Sequence, residues 1–154
     1  MSQIQIGQSV PDFTLRAAAG GEITLSEYRG RKVLLYFYPK SMTPACTQEA
    51  CEFRDAHDTI AAKDAVVFGI SPDSPELQVK FAAKHSLPFP LLSDENHTVS
   101  ELFGVWQLKK LYGREFMGIV RSTFLIDEEG KLAAAWRKIR VKGHVDAVLG
   151  EIVK

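Results

Sequence analysis

Two runs, Val33-Leu34-Leu35-Tyr36-Phe37-Tyr38 and Val66-Val67-Phe68-Gly69-Ile70, carry no charge and no polar alternation. A strand without a polar face is buried on both sides, so each run predicts a strand inside a covered sheet. The chain between them predicts a helix. Thr43 suits an N-cap and Pro44 the first helical position. Ala50, Phe53 and Ile60 then recur at helical spacing. Strand, helix and strand in that order already exclude an all-helical bundle and an all-β sandwich.

The remaining segments extend the pattern. Phe13-Thr14-Leu15 and Ile23-Thr24-Leu25 alternate around Gly20-Gly21 and predict an N-terminal hairpin. Ser26 to Gly30 reads as a short capped turn. Ser74-Pro75-Glu76 starts a helix that ends near His85, before Pro88. Phe89 to Leu92 reads as a short strand and Thr98 to Phe103 as a short helix. Gly118 to Asp127 and Lys131 to Trp136 flank the turn Glu128-Glu129-Gly130 and predict an antiparallel pair. Val145, Val148, Leu149 and Ile152 form the apolar face of a last helix. Lys109-Lys110 with Arg114 reads as a solvated loop. The expected fold class is α/β, a central mixed sheet flanked by helices in three layers, with residues 1–154 as a single domain.

Composition removes several functions. Lysine plus arginine equals aspartate plus glutamate at 19 each, so no net field draws nucleic acid or an anionic membrane. No apolar run approaches the ~20 residues that span a bilayer. The first residues, Met1 to Gly7, show no basic stretch followed by a long apolar one, so no signal peptide is evident and a cytoplasmic location is expected. His57, His85, His97 and His144 match no metal or triad spacing, and no phosphate-binding glycine loop is present, so neither metal nor organic cofactor is expected. Trp106 and Trp136 read as packing residues.

Cys46 and Cys51 are the only cysteines. Cys46 falls in the first turn of the helix that Thr43 caps. Backbone N–H groups there lack intrahelical partners, and the helix dipole favours negative charge. Both effects favour a thiolate, the nucleophilic form. The break from strand to loop at Pro39 is expected to expose Cys46 at the edge of the sheet. Thr43 adds a hydroxyl to the segment, and Pro39 and Pro44 stiffen it. Cys51 follows five positions later, which is not the Cys-x-x-Cys spacing of a thioredoxin-type exchanger. On an ideal helix that offset separates the Cα atoms by roughly 8–9 Å, beyond the ~7 Å that a disulfide spans. A Cys46–Cys51 bond therefore needs the helix to unwind. Arg121, opening an apolar strand in Arg121-Ser122-Thr123-Phe124, is costly to bury without an anionic partner, and Glu49 is a candidate. The residues alone leave open a peroxidase, a thiol–disulfide exchanger, a redox-sensing or chaperone-like switch, and a structural domain with incidental thiols.

The Pro-x-x-x-Thr-x-x-Cys frame from Pro39 to Cys46 resembles the peroxidatic loop of the peroxiredoxins. The five-residue step to Cys51 resembles the peroxiredoxin Q, or bacterioferritin-comigratory, branch. The resemblance runs from Gly7 through the last helix, and the element order is similar to an elaborated thioredoxin fold. It implies reduction of hydrogen peroxide or an organic hydroperoxide by Cys46. It further implies a sulfenic acid resolved by Cys51 as an intramolecular disulfide, and recycling by a thioredoxin-type reductant. Arg121 and Thr43 would activate the thiolate and the peroxide, and Pro39 would shield the sulfenate. The residue before the peroxidatic cysteine is commonly glycine in that branch and is Ala45 here. A monomer is expected, since the chain has no long C-terminal extension.

Overall fold

The computed structural model describes residues 4–153. A seven-stranded mixed sheet forms its centre. The strands are β1 (Thr14–Ala17), β2 (Glu22–Thr24), β3 (Lys32–Phe37), β4 (Ala65–Ser71), β5 (Leu91–Ser93), β8 (Ser122–Ile126) and β9 (Leu132–Trp136), in the order β2-β1-β5-β4-β3-β8-β9. Two further strands, β6 (Trp106–Leu111) and β7 (Arg114–Ile119), make a separate hairpin. The helices are α1 (Pro44–Asp55), α2 (His57–Ala62), α3 (Pro75–His85), α4 (Thr98–Leu102) and α5 (His144–Ile152).

The two uncharged runs are β3 and β4, adjacent and parallel at the heart of the sheet. Their side chains divide between two cores because neighbours on a strand point to opposite faces. Val33, Leu35 and Phe37 join Phe68, Ile70, Phe103 and Phe124 on one face. Leu34 and Tyr36 join Phe53, Ile60, Phe81, Val148 and Ile152 on the other, so α1, α2, α3 and α5 cover that side. These layers and the N-terminal hairpin match the expected architecture. Ser74 caps α3, its hydroxyl accepting from the Leu77 N–H, and Pro75 follows at the first helical position. Among the described residues no helix is long and apolar enough to cross a membrane.

Four local expectations are corrected. The helix from Thr43 is interrupted at Ala56, so Phe53 and Ile60 share a core but not a helix. The Ser26 turn is a 3-10 helix, Leu25–Tyr28, without a side-chain cap. The stretch 118–127 is not one strand: β7 ends at Ile119, β8 begins at Ser122, and they belong to different sheets. Lys109-Lys110 and Arg114 are not in a solvated loop but in the β6–β7 hairpin, where Lys109 pairs across from Phe116. That hairpin turns at Tyr112-Gly113, both at positive φ (51° and 74°). This is the backbone of a two-residue hairpin turn, usually signalled by Asn-Gly or Asp-Gly, and tyrosine hides it.

Candidate active site

The topology brings the predicted residues together. Strand β8 runs antiparallel beside β3, with Phe37 opposite Ser122. Arg121, one residue before β8, therefore sits where β3 gives way to Tyr38 and Pro39. Its carbonyl accepts from the Ile139 N–H at 3.0 Å, and the Val120 N–H donates to Val105 O at 2.8 Å, so the backbone on both sides is fixed. From there the guanidinium reaches α1. Nη2 donates to Cys46 Sγ at 3.2 Å and Nη1 donates to Glu49 Oε1 at 2.7 Å.

Cys46 is the third residue of α1, after Pro44 and Ala45. Its N–H is one of the donors that a helix start leaves without an intrahelical acceptor. The expectation of an exposed thiol is corrected: Cys46 is 1% exposed and packs with Tyr36, Tyr38 and Ala50. The same turn that offers free N–H groups also presses its inner face onto the sheet. Arg121 donates to the Cys46 sulfur, and so supplies the opposite charge and the hydrogen bond that a buried thiolate would need.

Glu49 is fully buried, and its second oxygen, Oε2, has no hydrogen-bond partner among the described residues. Burial pushes its pKa up to about 7, against the pull of Arg121. Burial disfavours the Arg121 cation, but the charges of Glu49 and Cys46 outweigh it and raise the pKa of the guanidinium. One cation thus serves two buried acidic groups.

Thr43 does not bond Cys46. Its hydroxyl donates to Lys40 O at 2.8 Å, and its carbonyl accepts from the Thr47 N–H at 2.9 Å. It closes the loop onto the helix start. Pro39 lines the cavity in front of Arg121, of about 530 Å³, with Leu108, Lys109, Val120, Lys138 and Ile139. Cys51 is half-buried on α1, and both cysteines are free thiols. Near it, Arg54 donates to His85 O at 2.8 Å and pairs with Asp55 at 3.0 Å. That bond to Asp55, and then the charge of Cys51, favour the Arg54 cation.

Two features of the site escape the sequence. Buried Ser41 fastens the loop: its N–H donates to Asp73 Oδ2 at 2.7 Å, and its hydroxyl lies 3.1 Å from that of Tyr38. Asp73 lies two residues beyond the end of β4, and the run Ser71-Pro72-Asp73 is the trace of that role in the sequence. Lys109 is the second, a hairpin residue reaching the cavity.

This arrangement can accommodate a thiolate and bring a cation to an incoming polar group. The sequence model of the AhpC/TSA family matches residues 6–135. Peroxiredoxin Bcp of Bacillus subtilis is 56% identical over 146 residues, covering 95% of this chain and 93% of that protein. PrxQ of Xylella fastidiosa superimposes with a TM-score of 0.93 at 34% identity, covering 99% of this chain and 98% of its own. The bacterioferritin comigratory protein of Xanthomonas campestris, described with alkyl peroxide reduction activity, gives 0.90 at 36% identity over 97% of this chain and 96% of its own.

Proposed function

The chain belongs to the AhpC/TSA family, in its Bcp and peroxiredoxin Q branch, and is a thiol peroxidase; from that premise we propose that Cys46 is the peroxidatic thiol, Cys51 its resolving partner and a thioredoxin-type protein the reductant. The observation that carries this is the donation from Arg121 to Cys46 Sγ, backed by Glu49. The guanidinium offers the sulfur the opposite charge that a thiolate needs and keeps other N–H groups for the peroxide.

The thiolate attacks one peroxide oxygen. An S–O bond forms to the O–H oxygen, the O–O bond breaks with its electron pair on the other oxygen, and that oxygen takes up a proton and leaves as water or an alcohol. Cys46 is then a sulfenic acid, two electrons more oxidised. The free N–H groups at the start of α1 and the Arg121 fork stabilise charge on the moving oxygens. Thr43 holds this turn, and its hydroxyl can turn from Lys40 O to an arriving peroxide. Pro39 limits access of a second peroxide. Cys51 then attacks the sulfenic sulfur, water leaves, and a disulfide forms. Two thiols five residues apart on α1 meet only if its first turns open. A dithiol reductant restores both thiols by exchange.

Peroxide consumption coupled to NADPH through thioredoxin and thioredoxin reductase tests the whole reading. Continued turnover is expected with hydrogen peroxide and with an alkyl hydroperoxide. Oxidation of the thiols that stops after one equivalent, with this reductant present, would contradict the recycling step. Failure of hydrogen peroxide to oxidise the protein at all would contradict the peroxidase.

A further inference from the structure

Lys109 belongs to β6, on a hairpin whose other side chains are largely exposed, yet it is half-buried. Its Nζ donates to Ile119 O at 2.9 Å, two residues before Arg121. It lines the same cavity as Arg121 and Pro39. The aliphatic stem crosses Gly118, where a side chain would begin only 3.1 Å from the lysine Cδ, so the absence of one makes room for this path. An ammonium has three donors, and one goes to Ile119. No other hydrogen bond of this amine is found among the described residues, which leaves donors for whatever enters the cavity. Burial lowers the pKa of the amine, the Arg121 charge lowers it further, and the Cys46 charge opposes both. The amine is thus in the electrostatic reach of the reacting sulfur, and its proton is easier to give up than that of a lysine in water.

Resting on the peroxidase reading above, we propose that Lys109 is the acid that protonates the leaving oxygen of the hydroperoxide. The Cys46 thiolate attacks the terminal oxygen of R–O–O–H, the S–O bond forms, and the O–O electron pair stays with the R–O oxygen. That oxygen takes a proton from Lys109 Nζ and departs as alcohol, or as water when R is hydrogen. Cys46 is left as a sulfenic acid and Lys109 as a neutral amine, which water reprotonates. Arg121 holds the thiolate and Lys109 meets the charge on the far oxygen, so the two cations divide the two ends of the breaking bond.

Leaving groups separate this role from a structural one. An alkoxide needs a proton as it departs; the carboxylate released from a peracid does not. Single-turnover oxidation of Cys46 would be followed by stopped flow with tert-butyl hydroperoxide and with peracetic acid. Lys109→Met is expected to slow the first by about 10²-fold or more, the size of a lost general acid, and the second by less than ~3-fold. Lys109→Arg keeps the charge and the bond to Ile119 but yields its proton far less readily, so it should stay slow on tert-butyl hydroperoxide. Lys131→Met, a charge removed from the remote turn beside Glu129, should match the wild type. Equal losses on both oxidants, recovery of the alkyl hydroperoxide rate by Lys109→Arg, or no loss at all would each overturn the assignment. A retained peracetic acid rate shows that the variant is folded with a competent thiol. Failure of the wild type on both oxidants would overturn the peroxidase reading instead.

Discussion

Cys46 and Cys51 lie on one helix, and the two ends of that helix are held in different ways. The first turn of α1 presses a fully buried thiol against the sheet, with Arg121 donating to its sulfur and to Glu49. The last turns are held by Phe53 in the core and by Arg54 on the His85 carbonyl, with Cys51 half-buried between. The start is thus anchored partly by Arg121 on a sulfur that the proposed reaction would change. The end is anchored by packing and a backbone acceptor that the reaction leaves alone. A helix built this way can open at its start without losing its end. In the proposed reaction the polar contact that readies the thiol is also the one that attack would remove.

Exchanging either thiol breaks the comparison most sharply. Cys46→Ser should abolish peroxide reduction, because a serine hydroxyl stays protonated near neutral pH. Cys51→Ser should still gain one oxygen at Cys46 per peroxide equivalent, read by mass, and then turn over poorly with thioredoxin. Retained turnover in the Cys46 variant would move the chemistry elsewhere.

Removing the cation at the start comes next. Arg121→Met should slow Cys46 oxidation by about 10²-fold or more, the size of a lost catalytic donor. An unchanged second-order rate with peroxide would leave Arg121 a structural role only.

Glu49 sharpens the same end through pH. Its folded-state pKa, about 7, lies above the usual carboxyl value because burial opposes the charge. The stability it contributes is full below the unfolded value near 4.5 and is lost as pH rises through about 7. Urea midpoints from pH 5 to 8 should fall for the wild type and change less for Glu49→Gln. The difference should amount to a few kcal/mol at most, by order of magnitude. Parallel curves would mean that the buried carboxyl titrates as if in water.

Thr43→Val has the smallest expected effect, about tenfold on the oxidation rate, the scale of one hydrogen bond. Its hydroxyl bonds Lys40 O at rest, so the variant loses that tie of the loop as well as any contact with the bound peroxide.

What the sequence made legible follows from the range of each signal. The uncharged strands, the Thr43-Pro44 start and the Ser74-Pro75 start are local patterns, and they stand in the fold. Cys46, Glu49 and Arg121 could be suspected as a group because an arginine opening an apolar strand needs a partner. The burial of Cys46 was not legible, since it depends on how closely α1 settles on β3. Nor was Lys109, because the turn at Tyr112-Gly113 lacks its usual residues and so hid the hairpin that delivers the amine. Ser41 and Asp73, 32 positions apart, meet only because β3 and β4 are neighbours.

Amide hydrogen exchange in the two redox states measures the difference between the ends of α1 most directly. With the Cys46–Cys51 disulfide confirmed by mass, residues from Thr43 toward Phe53 should exchange faster than in the dithiol form. Strands β4 and β8 should stay protected, and the change should reverse with reductant. Equal protection of this segment in both states would contradict the opening of α1, and with it the route by which Cys51 reaches Cys46.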